Sequence, residues 1–377
     1  MTKNILFVTE NDDFYGATRS LISLLEGLQD YDIKPFVVVS KESGFTNSLS
    51  DLNIPFRITP IPRWVTPRVL SNKEKRKFLK RIYQSCKHIR EMAQSWRIDI
   101  IYTNSSVTPV GRLVSLFECL PHIWHIREFG DLDFSLKFIF PKSMSKFFLN
   151  SSDAIICNSK AVRDHRFKKN SKRVHMVHNG SASKAQFEER LERRQEIQKH
   201  NDFVFAMVSK IMPHKGQEVA IRGLAELNKR GCKGKLLIAG NGEKSYEDVL
   251  KQLARDLNIT DLVEFTGSVN DPFKIYYSSD CVLICSDYEA LSRVGLEAMS
   301  TALPLIGKNS GGTPEIIEHE KTGLLYSTFE QLVDNMERLV KDPDLGRKMG
   351  LHGWMLAKER FTIEKYSKSI YEIIDSV

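Results

Sequence analysis

The sequence predicts an α/β protein made of two doubly wound, Rossmann-like domains of similar size that face a central cleft. Strand-like apolar runs alternate with helical patterns along the whole chain, which is typical of βαβ units and mostly parallel sheets. A length of 377 residues suits two domains better than one. A polar, highly charged segment over 184–200 separates two such alternating sets, and we interpret it as the connection between the halves.

The predicted elements follow one another in a regular order. In the first half they are NILFVTE, helix TRSLISLLEGL, PFVVVS, PFRIT, a long helix over 73–97, DIIYTN, HIWHIR, DAIICNS and RVHMVHNG. In the second half they are FVFAMVSK, helix QEVAIRGLAELNKR, KLLIAGNGE, helix YEDVLKQLARDLN, VEFTGSV, CVLICS, LPLIGK, and helices at roughly 330–340 and 363–376. We therefore predict domains at 1–185 and 186–355, with a C-terminal helix in 356–377 packing back on the first domain.

Composition narrows the class of protein. With 41% hydrophobic residues and a mean hydropathy of −0.30, the chain can bury two cores. No apolar run approaches the roughly 18 residues of a membrane span. The N-terminus enters a strand directly, unlike a signal peptide, and the six cysteines lack zinc-type spacing. These features predict a protein of the reducing cytoplasm.

The charge is divided unevenly between the halves. Residues 1–200 hold 33 Lys and Arg against 21 Asp and Glu, a net charge of +12, whereas the remainder has a net charge of −4. The first half is therefore expected to face something anionic. Nucleic acid, a phosphate-bearing substrate and an acidic membrane surface all fit this balance.

Two glutamates stand eight residues apart across a strand-to-helix junction. The apolar run CVLIC ends in Ser286 and Asp287, Glu289 follows, and an amphipathic helix that contains Glu297 starts near Ser292. Eight helical residues span about 12 Å, whereas paired glycosidase carboxylates lie about 5 to 9.5 Å apart. The spacing suits two ends of a nucleotide-sugar better than one bond-breaking pair. Taken alone, two glutamates at this spacing are more often a solvated Glu and a helix-surface Glu.

Basic and glycine-containing loops follow other strands of the second half. In SKIMPHKG (209–216), Lys210 and Lys215 flank a turn made by Pro213 and Gly216, at the strand end where such sheets bind ligands. Two cations there could neutralise a diphosphate leaving group. A solvated basic turn is the alternative interpretation of the same residues. AGNGE (239–243) and TGSVND (266–271) are further loops after strands.

The first half offers looser candidates. Gly16, in Tyr15-Gly16-Ala17, precedes a helix and would let the backbone approach a phosphate closely. Because the segment is not GxGxxG, an oxidoreductase-type dinucleotide fold has weak support. His125 follows a strand beside Arg127 and Glu128, which makes it a better site candidate than a lone histidine.

Two basic, aromatic segments are candidates for surface contact. Residues 73–97 carry apolar side chains at broadly helical spacing among many Lys and Arg, and FSLKFIFPKSMSKFFLNS (134–151) combines Phe and Leu with three Lys. Such segments fit contact with a membrane interface. A charged outer helix face and a partly buried loop are the alternative interpretations.

The sequence resembles the retaining glycosyltransferases of family four, the group-one enzymes with the GT-B fold. The resemblance lies in EALSRVGLE (289–297), the following AM, LPLI, GGTPEII (311–317) and TGLL (322–325), and in SKIMPHKG. Looser matches are YGATRSLISLL, DIIYTN, HIRE, DAIICNS and VHNG in the first half. The resemblance implies an acceptor-binding first domain and a second domain that binds a nucleotide-sugar donor.

The resemblance also implies roles for individual residues. Glu289 and His125 would be the catalytic side chains near the donor sugar, and Arg127 and Glu128 lie on the acceptor side. The implied donor-binding residues comprise phosphate-binding cations, backbone groups for the diphosphate and the base, and a ribose-binding carboxylate: Gly16, Lys210, Lys215, Val269, Leu291, Ser292, Arg293 and Glu297.

The chain departs from the family pattern at several of these positions. Ala-Leu-Ser replaces the usual Gly-Phe-Gly after the first Glu, so Ser292 stands for a glycine. Ser209 replaces a Gly, and Lys210 replaces an Arg, which turns a bidentate grip on phosphate into a point charge. Arg293 is an additional cation that could offset this last change.

The resemblance implies a metal-independent retaining hexosyltransferase, with no cofactor, that moves a sugar from a UDP- or GDP-sugar to a glycan. We expect the acceptor to be a lipid-linked saccharide, such as a polyprenyl-diphosphate-linked one, at the anionic inner face of a bacterial membrane, in O-antigen or capsule synthesis. The second half has no D-x-D at a strand end to bind a metal.

A sugar phosphorylase or nucleotide-sugar epimerase of the same fold is the first alternative function. A polyanion-binding protein is another, although the sequence has no helix-turn-helix or stacking motif for nucleic acid. A non-catalytic saccharide-binding module is a third.

Overall fold

A computed structural model describes residues 2–10, 16–167, 172–197 and 202–377. The chain forms two compact units. One comprises Met1–Gly180 with Ile363–Val377, and the other comprises Ser181–Thr362. These units divide the chain after 180 and after 362, whereas the sequence places the boundaries after 185 and after 355.

The first unit is a doubly wound α/β domain. Its strands are β1 (Lys3–Thr9), β2 (Ile33–Val39), β3 (Phe56–Ile58), β4 (Val65–Thr66), β5 (Ile100–Asn104), β6 (His122–Ile126), β7 (Lys137–Phe138), β8 (Ala154–Cys157) and β9 (Val174–Met176). Its helices are α1 (Gly16–Leu28), α2 (Gly44–Asp51), α3 (Asn72–Ser95), α4 (Val110–Glu118), α5 (Asp131–Phe134), α6 (Lys142–Asn150) and α7 (Lys160–Arg166), joined near the C-terminus by α16 (Ile363–Asp375).

The second unit has the same architecture. Its strands are β10 (Phe203–Val208), β11 (Gly234–Ala239), β12 (Val263–Gly267), β13 (Cys281–Ile284), β14 (Leu305–Lys308) and β15 (Gly323–Tyr326). Its helices are α8 (Lys184–Glu196), α9 (Gln217–Lys229), α10 (Lys244–Asp256), α11 (Phe273–Tyr277), α12 (Arg293–Ser300), α13 (Thr313–Ile316), α14 (Phe329–Lys341) and α15 (Pro343–Arg360).

Both main sheets are parallel and reverse their strand order near the middle. Within the described residues the orders are β3-β2-β1-β5-β6-β8-β9 and β12-β11-β10-β13-β14-β15. Their central strands are apolar runs buried on both faces, as expected of parallel sheets covered by helices, whereas the edge strands β3, β9 and β12 are partly exposed. Ligands of such sheets bind beyond the carboxyl ends of the strands where the order reverses, here between β1 and β5 and between β10 and β13.

The C-terminal helix α16 belongs to the core of the first unit. Its apolar face, which includes Tyr366 and Ile370, packs with β1, β2 and α1. Gly27 of α1 makes this close packing possible, because a Cβ there would lie 2.6 Å from the Ser367 hydroxyl oxygen. Tyr31 and Tyr371 stack with their ring centroids 4.4 Å apart.

The charged segment over 184–200 is more than a connection between halves. Its part from Lys184 to Glu196 is helix α8, which starts at a capping box formed by Ser183 and Gln186. Phe187 is fully buried, and the Trp354 indole donates a hydrogen bond to its carbonyl at 2.9 Å. Leu191 of the same helix also packs against this core, so α8 is an integral part of the second unit although its sequence is mostly charged.

Candidate active site

Two loops meet at the point where the second sheet reverses its strand order. One follows β10 and ends in a short 3-10 turn, Pro213–Lys215, before α9. The other follows β13. Because β13 pairs with β10 in parallel, both loops lie at the carboxyl ends of the strands, on the same side of the sheet. Gly216 has φ +75°, and a Cβ there would lie 2.3 Å from the Cys285 carbonyl oxygen. Only glycine permits this contact between the loops.

The contact between the loops brings Lys215 and Glu289 together. The Lys215 Nζ lies 2.6 Å from Glu289 Oε1, and the Ser286 hydroxyl donates to the same oxygen at 2.7 Å. The two side chains of the ion pair are 19% and 18% exposed. A predicted phosphate-binding cation and a predicted sugar-binding carboxylate are therefore adjacent and still reachable from solvent.

The environment of Glu289 keeps its carboxyl group ionised. Burial alone would raise the pKa of Glu289, but the Lys215 ammonium and the Ser286 hydroxyl outweigh it, and the net pKa is lowered. An ionised carboxylate can accept hydrogen bonds from sugar hydroxyls. It has no proton to donate as a general acid.

The glycine loop after β14 fixes the backbone of Glu289. The Gly312 N–H donates to the Glu289 carbonyl oxygen at 2.7 Å. Gly311 has φ +56°, and a Cβ there would lie 2.4 Å from the same oxygen. The sequence motif GGTPE carried this signal, but sequence reasoning assigned no role to its glycines or to Ser286.

The start of helix α12 lies directly after Glu289. Ser292 is its N-cap and has ordinary dihedral angles, φ −70° and ψ 103°, and its hydroxyl accepts a hydrogen bond from the Gly295 N–H at 3.1 Å. The serine that replaces a family glycine is thus accommodated as a capping residue. Leu291 and Ser292 are buried, and Arg293 begins the helix. Diphosphate binding by the backbone of these three residues stays a prediction.

Glu297 lies one helical turn further on and is only 1% exposed. Its Oε1 accepts from the Arg293 Nε at 2.8 Å, and its Oε2 accepts from the Tyr276 hydroxyl at 3.0 Å. The sequence suggested Arg293 as a diphosphate-binding cation. In the structure its guanidinium is engaged with Glu297, at the i,i+4 spacing of a helix.

The remaining predicted donor residues lie at the ends of neighbouring strands. Lys210 follows β10 and is exposed, and the Gln217 side-chain amide donates to its carbonyl oxygen at 3.0 Å. Val269 follows β12 and is half-buried against the core of the unit. Lys210 and Val269 both lie at the carboxyl ends of strands, as predicted. Their roles in binding a donor stay predictions.

In the first unit, His125 lies near the carboxyl end of β6 and is fully buried. Its Nδ1 lies 2.5 Å from the Tyr102 hydroxyl, and within the described residues its Nε2 is buried without a hydrogen-bond partner. Burial, assisted by the Arg127 charge, holds the pKa of His125 well below its usual range. The imidazole is therefore neutral at physiological pH.

Arg127 and Glu128 are bound into networks within the first unit. Arg127 donates to the Asn104 and Asn179 side chains at 2.5 and 2.7 Å and to the Tyr366 hydroxyl at 2.9 Å. Glu128 Oε1 accepts from both the N–H and the hydroxyl of Ser106 at 2.6 Å. These contacts fix the loop after β6, and an acceptor-binding role for either residue stays a prediction.

Gly16 is the first residue of α1 and is exposed. Among the described residues beyond its chain neighbours and its own helix, no heavy atom lies within 4 Å of the position that a Cβ would take there. The space fits the predicted approach of a phosphate to the backbone, which stays a prediction. Tyr15, its partner in the sequence motif, lies outside the described residues.

Comparison with known proteins identifies both units. Residues 188–353 match the family model described as glycosyl transferases group 1, and residues 14–181 match the model of glycosyltransferase family 4. A GDP-mannose-dependent α-(1-6)-phosphatidylinositol monomannoside mannosyltransferase of Mycobacterium tuberculosis is 32% identical over 41% of this chain and 43% of its own length. An N-acetyl-α-D-glucosaminyl L-malate synthase of Bacillus anthracis is 26% identical over 62% of this chain. The alignments span 43% and 63% of these two relatives' lengths.

Solved structures match over nearly the whole chain. HepE of Anabaena in complex with UDP-glucose superposes with a TM-score of 0.80 at 21% identity and covers 99% of this chain and 100% of its own. A sucrose-phosphate synthase of Thermosynechococcus elongatus gives a TM-score of 0.77 at 15% identity, covering 99% of this chain and 98% of its own. These likenesses confirm the predicted GT-B fold. The chain belongs to family four of the glycosyltransferases, the group-one enzymes.

Proposed function

We propose that this protein is a retaining glycosyltransferase that transfers a sugar from a UDP- or GDP-sugar to a hydroxyl group of a glycan. The observation that carries the proposal is the Lys215–Glu289 pair, 2.6 Å apart where the second sheet reverses its strand order. A nucleotide-sugar presents a diphosphate next to a hydroxyl-rich ring. A cation beside an ionised carboxylate matches both parts.

The first step of the proposed reaction is departure of the diphosphate, which develops negative charge at the leaving oxygen. Lys215 and Lys210 would neutralise this charge, together with the N–H groups that an α-helix cannot satisfy at its own start, here at α12. These groups can do this without a divalent ion, so metal independence is part of the proposal. Unchanged turnover in EDTA would support it, and loss of turnover restored by Mg²⁺ would contradict it.

Arg293 has a part in the same step. It is 13% exposed, whereas Tyr276, another partner of Glu297, is fully buried. Arg293 is therefore the partner that can turn from the carboxylate toward an arriving diphosphate. Its departure would open one oxygen of Glu297 for the ribose of the donor nucleotide.

In the proposed reaction, the acceptor hydroxyl attacks the sugar on the same face from which the diphosphate departs. The configuration of the sugar is therefore retained. Glu289 Oε1 is already held by Lys215 and Ser286, which suits a group that orients the sugar better than a nucleophile that bonds to it. Neutral His125 could accept a hydrogen bond, but it carries no charge for the leaving group. The anomeric configuration of the product, measured by NMR, tests this step, and an inverted product would contradict it.

We propose a lipid-linked saccharide as the acceptor, in bacterial surface polysaccharide synthesis at the inner face of the membrane. One relative acts on a phosphatidylinositol mannoside, which supports an acceptor at a lipid surface. Within the described residues, the helices are all too short or too polar to cross a membrane. We propose a peripheral contact with the membrane surface.

The outer face of α3 is the surface that fits this contact. Arg76, Lys80 and Lys87 are exposed along it beside two apolar side chains, Leu79 at 50% and Tyr83 at 71% exposure. Each basic residue near an anionic membrane contributes about 1 kcal/mol, so replacing the three cations by Gln should weaken vesicle binding about 100-fold. The control replaces three exposed lysines of the second unit, Lys229, Lys233 and Lys341.

Flotation with vesicles containing 30% anionic lipid tests this surface. The proposal predicts that the wild-type protein and the lysine control float at moderate ionic strength and that the α3 variant does not. Failure of the wild type to float would argue for a soluble acceptor. Equal, steeply salt-dependent binding to arbitrary DNA would favour a polyanion-binding protein instead.

Donor recognition is tested by a thermal-shift panel of nucleotides and nucleotide-sugars, because a ligand that binds the native state raises the melting temperature. We expect either the UDP or the GDP series to stabilise the protein and the Glu289→Gln variant to lose turnover. Glu218→Gln, on the exposed surface of α9, is the matched control. Full turnover by Glu289→Gln would refute the catalytic assignment, and conversion of donor to an epimer or to a sugar phosphate would reassign the reaction.

A further inference from the structure

Helix α8, which the sequence analysis interprets as a connection, contacts residues that surround Glu297. Arg190 on α8 donates to the Ser300 hydroxyl at 2.9 Å, and that hydroxyl donates to the Glu297 carbonyl oxygen at 2.6 Å. The Arg190 guanidinium also lies 3.9 Å from the centroid of the Phe273 ring. Arg190 therefore links α8, α11 and the end of α12.

Helix α11 supplies the second support. The Tyr276 hydroxyl donates to Glu297 Oε2 at 3.0 Å, and its ring packs edge-on against Phe273 at a centroid distance of 5.6 Å. Arg194, one turn after Arg190, donates to the carbonyl oxygens of Tyr276 and Ser279 at 3.1 and 2.7 Å. The arginines of α8 thus hold the end of the helix that carries Tyr276.

The electrostatics of the cluster agree with its geometry. Burial lowers the pKa of Arg190, and the negative charge of Glu297 partly restores it. The nearby carboxylate therefore favours the charged form of the half-buried Arg190 guanidinium. A carboxylate has about four acceptor positions on its two oxygens, so it can accept from Tyr276 and from two hydroxyl groups when Arg293 turns away.

We propose that Tyr276 and Arg190 are positioning residues that hold the Glu297 carboxylate so that it accepts hydrogen bonds from both ribose hydroxyls. The site is thereby selective for ribonucleotides over 2′-deoxyribonucleotides. This inference rests on the proposed function, in which Glu297 binds the ribose of the donor. A carboxylate that is free to rotate would still bind a single hydroxyl group. It would lose much of the additional binding free energy from the second hydroxyl group.

The test is calorimetric titration with UDP, GDP and their 2′-deoxy counterparts. For the wild-type protein we expect the ribose form of the preferred nucleotide to bind about tenfold more tightly than the 2′-deoxy form, the value of one hydrogen bond to a charged group. Tyr276→Phe should weaken binding of the ribose form about tenfold and bring the ratio of the two affinities close to one. A purely structural loss would lower both affinities equally and leave the ratio unchanged.

The chain offers matched controls for both positions. Tyr277 is adjacent to Tyr276, but its ring packs against the Arg193 guanidinium, 4.8 Å from its centroid. Tyr277→Phe should therefore keep the wild-type ratio. Arg190→Met should narrow the ratio, whereas Arg193→Met, on the exposed side of the same helix, should not. The arginine pair gives an independent result if Tyr276→Phe fails to fold.

The outcomes separate the inference from the proposed function. If Glu297→Gln binds the ribose form as tightly as the wild type, or if neither UDP nor GDP binds, the proposed donor site is wrong and the inference falls with it. If Glu297→Gln weakens binding but Tyr276→Phe and Arg190→Met keep the wild-type ratio, only the inference is overturned.

Discussion

Replacement of Lys215 by Met should destabilise the protein through the carboxylate that it leaves behind. The methionine keeps most of the aliphatic length of the side chain but removes the charge 2.6 Å from Glu289. Removing one partner of a fully buried ion pair costs about 3 to 5 kcal/mol, and an exposed pair contributes less than about 1 kcal/mol. Because both side chains are about a fifth exposed, we expect a loss of about 2 kcal/mol in the free energy of unfolding.

Differential scanning fluorimetry and urea unfolding can measure this loss. For a unit of this size, 2 kcal/mol corresponds to a fall of about 4 to 8 °C in melting temperature. Glu289→Gln should cost less, because the amide oxygen can still accept from Lys215 and Ser286. The double variant should be more stable than the sum of the single effects predicts, with a coupling energy of about 1 kcal/mol. Lys229→Met, at an exposed position on α9, is the control.

The pH dependence gives a second measure of the same interaction. The pKa of Glu289 is lower in the folded protein than its ordinary value of 4.5, so its ionisation stabilises the fold above pH 4.5. This stabilisation is lost as the pH falls below 4.5 through the folded pKa. The difference in stability between the wild type and Glu289→Gln should therefore shrink in acid. A Lys215→Met variant as stable as the wild type, with no coupling in the double variant, would refute this account.

Three further predictions concern the fold around the sites. Gly216→Ala should lower the free energy of unfolding by about 2 to 4 kcal/mol in urea titrations, because φ is +75° and the new Cβ meets the Cys285 carbonyl oxygen at 2.3 Å. The Cβ of Gly16→Ala meets none of the described residues within 4 Å outside its own helix, so this change should leave the melting temperature unchanged while reducing donor turnover. Full turnover would remove Gly16 from the site. Because the pKa of His125 is depressed in the folded protein, its contribution to stability is present above pH 6.5 and is lost as the pH falls below 6.5. His125→Asn should therefore reduce the slope of the urea-derived free energy of unfolding against pH between pH 6.5 and 5. The expected reduction is up to about 1.4 kcal/mol per pH unit. An unchanged slope would mean that His125 takes up a proton in the folded protein.

The alternation of strands and helices could be predicted because each buried strand is a short apolar run, and the family motifs identified the loops at the strand ends. Helix α15 was missed because Gly346, Gly350 and Gly353 lower its helical propensity. The glycine at 350 is explained by packing, since a Cβ there would lie 2.0 Å from the Ala302 carbonyl oxygen. Such a contact between distant parts of the chain leaves no local signal.

The candidate site shows the same division. Glu289, Glu297 and Lys215 could be proposed from the sequence, because their spacing and motifs are local. Their partners could not be proposed, since Lys215 and Glu289 are 74 residues apart and Tyr276 and Glu297 are 21 apart. The Arg293–Glu297 pair was within reach of sequence reasoning at i,i+4 spacing, but the arginine was assigned to the diphosphate alone. The burial of His125 depends on the packing of the whole first unit.

The most direct test of the central claim is calorimetric titration of nucleotide-sugars into the wild type, Lys215→Met and Lys229→Met. We predict that one series, UDP or GDP, binds the wild type and the Lys229→Met control equally. Lys215→Met should bind it at least about tenfold more weakly, because a charge-assisted contact with phosphate is lost. Equal binding by all three proteins, or no binding of either series to the wild type, would contradict the proposed donor site.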